Sequence, residues 1–428
     1  MKSKIIIVDD DPTGCQCVKN ISILTQWDET LLSETLCHED VFFILSNSRA
    51  LSPSNAYKTT KEIARALKSL QKETYDFKII SRSDSTLRGH IKEELTAFNE
   101  VFGPFDGTIV APFFEEGHRV TLEDTHYIKK GKHFIPVSET EFSKDPVLGY
   151  ETSHLPSYLE EKTSWWRKEH CVSITIDDIR NLGKEAIADK LLDVKNNKAI
   201  IVNSENKNDF KIAIEGIKIA ESKGKKFMYR TASSFVQLYA DITNELSANI
   251  KDTISSCLIV AGSFVDLTTQ QLNHLKEHEQ FSEIMIESLQ VFSNYDAYLN
   301  TIVEKIDAFL KNQTKVLVYT ERDYKGNGSK QDKIELAEKL SMFVHQMVSK
   351  ITFQPDLIIA KGGITSHEVL KHGLQVKKAN VMGQIHPGIP ILRLDASSKF
   401  PGSLYVIFPG NVGTDSTLTE IVQKLFKN

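Results

Sequence analysis

The chain carries three consecutive aspartates, Asp9-Asp10-Asp11, followed at once by Pro12-Thr13-Gly14. Further polar groups lie along the same half: Ser46-Asn47-Ser48-Arg49, then Ser81-Arg82-Ser83-Asp84-Ser85-Thr86-Leu87-Arg88-Gly89-His90, then Pro112-Phe113-Phe114-Glu115-Glu116-Gly117-His118-Arg119. Carboxylates accept hydrogen bonds from hydroxyls, and an arginine fork offers two parallel donors to a carboxylate. Asp10, Asp11 and Asp84 therefore suit the hydroxyls of a polyol, while Arg49 and Arg88 suit an acid group on the same molecule. Ser85 and Thr86 can offer hydroxyls, or a helix N-terminus, to that anion. Other readings stand beside these. Asp-Pro-Thr-Gly is a good turn, and Arg82 with Asp84 also reads as a surface ion pair. Three carboxylates can hold a cation, although Mg²⁺ in kinases is often held chiefly by the nucleotide phosphates. No metal site made by the protein alone is assigned.

The second half offers a different chemistry. Ala261-Gly262-Ser263, Lys361-Gly362-Gly363-Ile364-Thr365-Ser366 and Pro409-Gly410-Asn411-Val412-Gly413-Thr414 each follow an apolar run and precede a helical pattern. Glycine lets the backbone approach a phosphate closely, and free N–H groups at a helix start attract it. Thr365 and Ser366 could add hydroxyl donors. None of these stretches matches G-x-x-x-x-G-K-[ST] or G-x-G-x-x-G, so neither a P-loop nor a dinucleotide fingerprint is present.

These groups need scaffolding. Short apolar runs alternate with amphipathic stretches, the pattern of an α/β protein with mainly parallel sheets flanked by helices. Strands are expected at 5–8, 42–45, 77–80, 107–111, 173–176, 199–202 and 227–229. A second series is expected at 258–261, 283–286, 316–319, 357–360, 391–394 and 404–408. Helices are expected at 53–70 and 209–222, where apolar residues recur at three and four. In a parallel open sheet the carboxyl ends of the strands share one edge, where ligands bind. The polar groups all follow strands, so distant segments should meet there. Region 112–169 breaks the rhythm and reads as an irregular insertion serving as a lid or binding loop. Two domains are expected, 1–250 and 251–428.

Bulk properties narrow the class. The 428 residues are 40% hydrophobic and 25% charged, with a net charge of −5. Such a chain can bury a full core in each half, and it lacks the basic footprint of a nucleic-acid binder. Five cysteines without a C-x-x-C pair argue against a disulfide framework or structural zinc. No run approaches the ~18 apolar residues of a membrane span. A cytoplasmic protein without membrane or nucleic-acid partners is expected, with a homodimer plausible.

The motifs together resemble the four-carbon acid sugar kinase family, in a divergent branch. The family's A-D-D-x-T-G is similar to Asp9–Gly14, its strand-end motif closing in Arg to Asn47-Ser48-Arg49, and its D-S-T-L-R-G is unchanged from Asp84 to Gly89. Its A-P-x-F-x-x-x-G-R resembles Ala111 to Arg119 with His118 inserted. Its G-S, G-G-x-T-S and P-G-N-x-G are matched at Gly262-Ser263, Gly362 to Ser366 and Pro409 to Gly413. The departures are Asp9 for Ala, Pro12 for the usual Leu, and Arg82-Ser83 where many members carry Lys and an apolar residue.

The resemblance implies that the first domain holds a sugar acid through Asp10, Arg49, Asp84, Ser85 and Thr86, with Asp11 and Arg88 beside them. The second domain would hold ATP through Ser263, Gly362, Gly363, Thr365 and Gly410, with Ile364, Asn411 and Gly413 in the same loops. The expected activity is transfer of the γ-phosphoryl group to a hydroxyl of a small sugar acid, in an active site in the interdomain cleft. Mg²⁺ would be bound through the nucleotide, and Asp10 or Asp84 would take the hydroxyl proton. A binding protein that kept the fold without the chemistry is the alternative. An aldolase or dehydrogenase on the same acids is a third reading, without a fingerprint to support it.

Overall fold

The computed structural model describes residues 2–72, 75–242, 246–312, 314–322 and 330–426. The first part of the chain forms β1 (Lys2–Asp9), β2 (Ile21–Leu24), β3 (Val41–Leu45), β4 (Tyr75–Arg82), β5 (Gly107–Ala111), β6 (Arg119–Leu122), β7 (Thr125–Lys130), β8 (His133–Pro136), β9 (Val172–Ile174), β10 (Lys198–Val202) and β11 (Phe227–Thr231). The rest forms β12 (Cys257–Ala261), β13 (Ser282–Ile286), β14 (Lys315–Thr320), β15 (Leu357–Lys361), β16 (Lys378–His386), β17 (Ile389–Leu394) and β18 (Leu404–Phe408). Two compact units result: Met1–Cys17 with Gln26–Asn244, and Val18–Thr25 with Glu245–Asn428. Among the described residues no helix is long and apolar enough to cross a membrane.

In the first unit the strands run β3-β1-β4-β11-β5-β10-β9, all parallel. Continuous apolar runs such as Ile6-Ile7-Val8 and Phe42-Phe43-Ile44-Leu45 are buried, as strands covered on both faces must be. The helix Pro53–Ser69 starts where Ser52 accepts from Asn55 N and Pro53 presets the first turn, and it buries Ala56, Ile63, Ala64 and Leu67. Asn206 caps the helix Lys207–Ser222 in the same way. Register decides what meets at the top of the sheet. Asp9 lies opposite Leu45 on one side and Arg82 on the other. Thr231 lies opposite both Arg82 and Ala111. The loops after these strands therefore leave from one edge.

Region 112–169 is not irregular. It contains an antiparallel sheet, β6-β7-β8, followed by short 3₁₀ turns and the helix Leu155–Lys162. Its strands are short and rich in His, Lys and Thr, so they lack the apolar runs that marked the parallel strands. Two of the residues expected to begin a helix also stand differently. Ser85 and Thr86 lie in a turn closed by Leu87 N on Asp84 O, and the helix begins only at Ile91.

In the second unit the order is β13-β14-β12-β15-β18 in parallel, continued antiparallel by β17, β16 and β2. Val18–Thr25 therefore belongs with the second unit, although it falls inside the first expected domain. Its strand pairs Ile21 with Val381 and Leu24 with Lys378. A four-residue strand with so remote a partner carries no local signal of its allegiance. Register again aligns the loops: Lys361 lies opposite Ala261 and Phe408. Gly262, Gly362 and Pro409 thus follow three adjacent strands. The last helix begins at Thr417, so the loop from Pro409 does not open it directly.

Candidate functional site

The top edge of the first sheet gathers five carboxylates and four arginines, of which Asp9, Asp10, Glu94, Arg82 and Arg230 are buried. Burial of an unpaired charge is so costly that each must find an opposite charge. Arg49 donates from Nη2 to Asp10 Oδ1 at 2.5 Å, from Nε to Asp10 Oδ2 at 3.3 Å and from Nη1 to Asp11 Oδ2 at 2.8 Å. Arg82 donates from Nη1 to Asp9 Oδ1 at 3.0 Å and from Nη2 to Ser233 Oγ at 3.0 Å. Arg230 pairs with Glu94, which also accepts from Ser48 at 2.7 Å and Ser81 at 3.0 Å. Arg88 donates from Nε to Asp84 Oδ2 at 2.7 Å. Asp10, Asp11 and Arg49 thus form one group and Asp84, Thr86 and Arg88 another, with Arg49 within electrostatic range of Asp84.

The carboxylates differ in proton affinity for physical reasons. Burial raises Asp10, against the pull of Arg49. Burial pushes Asp9 up to about 7 even beside Arg82. Asp84 is held well below the usual range: Arg49, Arg88 and the Thr86 and Arg88 hydrogen bonds outweigh its burial. Asp11 is lowered likewise, as Arg49 and hydrogen bonds from Thr13 outweigh burial.

The loop bearing Asp84 is held from behind by the sheet of the insertion and the segment after it. His126 Nε2 donates to Ser85 O at 2.8 Å, Tyr150 Oη to Thr86 O at 2.7 Å and Tyr158 Oη to Leu87 O at 2.6 Å. Three consecutive carbonyls are satisfied by three side chains, and Leu87 is held at a φ of 69°. A carbonyl only accepts, so Nε2 of His126 carries its proton and Nδ1 accepts from Thr121 at 2.9 Å. Burial pushes His126 down to about 4, so it is neutral near pH 7. The insertion read as a lid is therefore, in part, a clamp. Tyr150 and Tyr158 escaped sequence reading because lone aromatic residues carry no spacing signal.

In the second unit, Ser263, Gly362, Gly363, Ile364, Thr365, Gly410 and Asn411 line one cavity of about 380 Å³. Phe264, Val265, Leu340 and Val344 supply an apolar wall. Gly413 is not part of the lining; it turns the chain at a φ of 86° before the last helix. Gly362 has a φ of 119°, and a Cβ there would lie 3.0 Å from Ser263 Cβ and 3.1 Å from Thr365 Oγ1. Glycine alone keeps that loop close to Ser263. Beneath it, fully buried Lys361 donates from Nζ to Pro409 O at 2.5 Å and Gly410 O at 3.2 Å, tying two of the loops together. Burial pushes its amine down to about 7. Size and lining suit a ligand with a flat apolar part and a phosphate chain. The wall residues Leu340 and Val344 were missed because their helical spacing also fits ordinary core.

Comparison with known proteins follows the same division. A sugar-binding N-terminal domain matches residues 5–239, and a nucleotide-binding C-terminal domain matches residues 258–418. A D-erythronate kinase from Heliobacterium modesticaldum is 29% identical over 153 residues, covering 34% of this chain and 33% of the relative. A D-threonate kinase from Bordetella bronchiseptica is 25% identical over 162 residues, covering 36% and 38%. The chain thus matches about a third of the length of these curated relatives. A crystal structure from Haemophilus influenzae aligns with a TM-score of 0.70 at 15% identity over 98% of this chain and 100% of its own. A Salmonella typhimurium structure with a provisional tRNA synthase description aligns at 0.71 and 16% over 99% of both chains. At such identities the two structures show the fold alone.

Two outcomes test the site's construction. Tyr158→Phe leaves Leu87 O without its buried donor, and thermal or denaturant unfolding should show a loss of about 1–3 kcal/mol. His126 has a folded pKa below its unfolded value, so its contribution is present above about pH 6.5 and lost as pH falls toward about 4. Unfolding free energy should fall more steeply over that window in the parent than in His126→Gln. Equal slopes would contradict the buried neutral ring.

Proposed function

The chain belongs to the four-carbon acid sugar kinase family, and from that premise we propose that it transfers the γ-phosphoryl group of ATP to a hydroxyl of a four-carbon sugar acid. What carries the reading is a division of chemistry on one chain. One unit presents a carboxylate and guanidinium network for a polyhydroxylated acid, and the other presents glycine loops around a part-apolar cavity for a nucleotide.

The departures from the family pattern do not remove that chemistry. Asp9 and Arg82, two of the departing residues, pair with each other at 3.0 Å. The added carboxylate is therefore met by a guanidinium standing where many members carry Lys, and Asp10 keeps its own partner, Arg49. This supports retained catalysis over a binding-only role.

Phosphoryl transfer depends on positioning and on neutralising phosphate charge. Ser263, Gly362, Gly363, Ile364, Thr365, Gly410 and Asn411 would hold ATP, with Lys361 fixing the loops from behind. Mg²⁺ arriving with the nucleotide would screen the phosphate oxygens. Asp84, Ser85 and Thr86 would orient the acceptor's hydroxyls. Asp10 is the better proton acceptor, because burial raises its affinity while Asp84 is held low. Arg49 orients Asp10 and Asp11, and Arg88 holds Asp84.

Assay of ADP release with ATP-Mg and a panel including erythronate and threonate tests the reading. Turnover with at least one acid is expected; no turnover and no thermal shift with ATP-Mg would overturn it. Asp10→Asn should lower kcat roughly 10²–10⁴-fold while ATP binding is kept. Asp84→Ala should abolish turnover, also with ATP binding kept. The acid limb of kcat/KM should lie above the ordinary aspartate pKa of about 3.9, since activity is lost as Asp10 takes up a proton. Lys361→Met should weaken ATP binding by about tenfold through two unpaired carbonyls, read by calorimetry, with acid binding unchanged.

A further inference from the structure

The arginines of the carboxylate edge fall into two kinds. Arg49, Arg82, Arg88 and Arg230 each hold a carboxylate. Arg119, at the start of β6, has no ion-pair partner among the described residues. Its Nη1 donates to Gly117 O, its Nε is buried without a hydrogen bond, and its Nη2 has no partner. The side chain as a whole is half-buried, so part of the fork remains reachable.

Its direction follows from the strand. Side chains two apart on a strand share a face. Arg119 therefore shares the face of Thr121, whose hydroxyl bonds the His126 ring that holds Ser85 O. That face looks onto the Asp84 loop. Arg119 also lies within electrostatic range of Asp84, Glu141 and Arg88, none of them at ion-pair distance, and burial lowers its proton affinity. Gly117 makes the approach possible, because a Cβ there would lie 2.1 Å from Arg119 Nη1.

An unpaired guanidinium is expensive in a half-buried place, where losing a partner for a charged donor costs several-fold to a hundredfold in any equilibrium that demands it. Arg49 already faces two carboxylates, Asp10 and Asp11, through Nε, Nη1 and Nη2, so its charge is matched before any substrate binds. We propose that Arg119 is the specificity-determining residue that binds the carboxylate of the acid substrate. The assignment rests on the sugar-acid reading above and sharpens it: recognition of the acid group passes from Arg49, already paired with two carboxylates, to a fork without an ion pair among the described residues.

The test compares the full-length parent with Arg119→Gln and Arg119→Lys, using threonate, erythronate and the uncharged tetritol erythritol. Calorimetry reads binding, and ADP release reads turnover. Thermal unfolding confirms that each variant is folded. Arg119→Gln should weaken binding of the acid by roughly 30-fold and raise its KM alike. The response to erythritol and the KM for ATP should be unchanged. Arg119→Lys should fall between, keeping charge without the fork. Added guanidinium should restore part of the acid's affinity in a folded Arg119→Ala variant. Unchanged acid affinity in Arg119→Gln, or equal losses for acid and tetritol, would overturn the assignment while leaving the kinase reading intact. A parent that binds the acid through Arg119 without turnover would instead support the assignment and overturn the kinase reading. A parent that binds neither acid would overturn the assignment.

Discussion

Charge neutralisation at the carboxyl end of a parallel sheet is the constraint on which the first unit is built. Parallel strands bury apolar runs on both faces, so their polar residues are pushed to the edge where the loops begin. Asp9, Asp10, Asp11, Asp84 and Glu94 are gathered there, and Asp9 and Asp10 are nearly inaccessible to water. Such a group folds only if each carboxylate meets a cation or enough hydrogen bonds. Arg49, Arg82, Arg88 and Arg230 meet that need, from three parts of the chain. Removing one leaves its partner buried and unmatched, which costs about 3–5 kcal/mol in comparable pairs. The network is therefore a condition of folding.

Opposing environments then divide labour among similar side chains. Asp10 and Asp84 are both aspartates, yet burial raises one while arginines and hydrogen bonds lower the other. The first is suited to take a proton, the second to stay ionised and accept hydrogen bonds. In the second unit Lys361 shows the same logic inverted. Its amine sits in an apolar place where a neutral form still has donors for Pro409 O and Gly410 O. The amine serves as a tie between glycine loops.

Much of this was legible in the sequence because strand ends announce themselves. An apolar run closing in Asp-Asp-Asp, or in Lys-Gly-Gly, marks both an element and its loop. The clusters at Asp9, Asp84, Gly362 and Gly410 could thus be placed before any coordinates. What stayed hidden depended on contacts remote in sequence. The strand Ile21–Leu24 has four residues and its partner begins at Lys378, so no local pattern reveals it. Tyr150 and Tyr158 act on Thr86 and Leu87 through single hydroxyls. Ser85 and Thr86 suggested a helix start, but the carbonyls of that stretch are satisfied by the insertion, which leaves a turn. That Arg49 pairs with two carboxylates while Arg119 has no ion pair among the described residues could be learned only from partners, since both are arginines after a strand or a loop.

In the proposed reaction a hydroxyl of a four-carbon acid becomes a phosphate ester at the expense of ATP. Phosphorus NMR of the protein with ATP-Mg and erythronate or threonate tests it most directly. A growing phosphomonoester resonance, split by a carbon-bound proton and matched by ADP, is the predicted result. Spectra that show ATP unchanged, or only inorganic phosphate appearing, would contradict it.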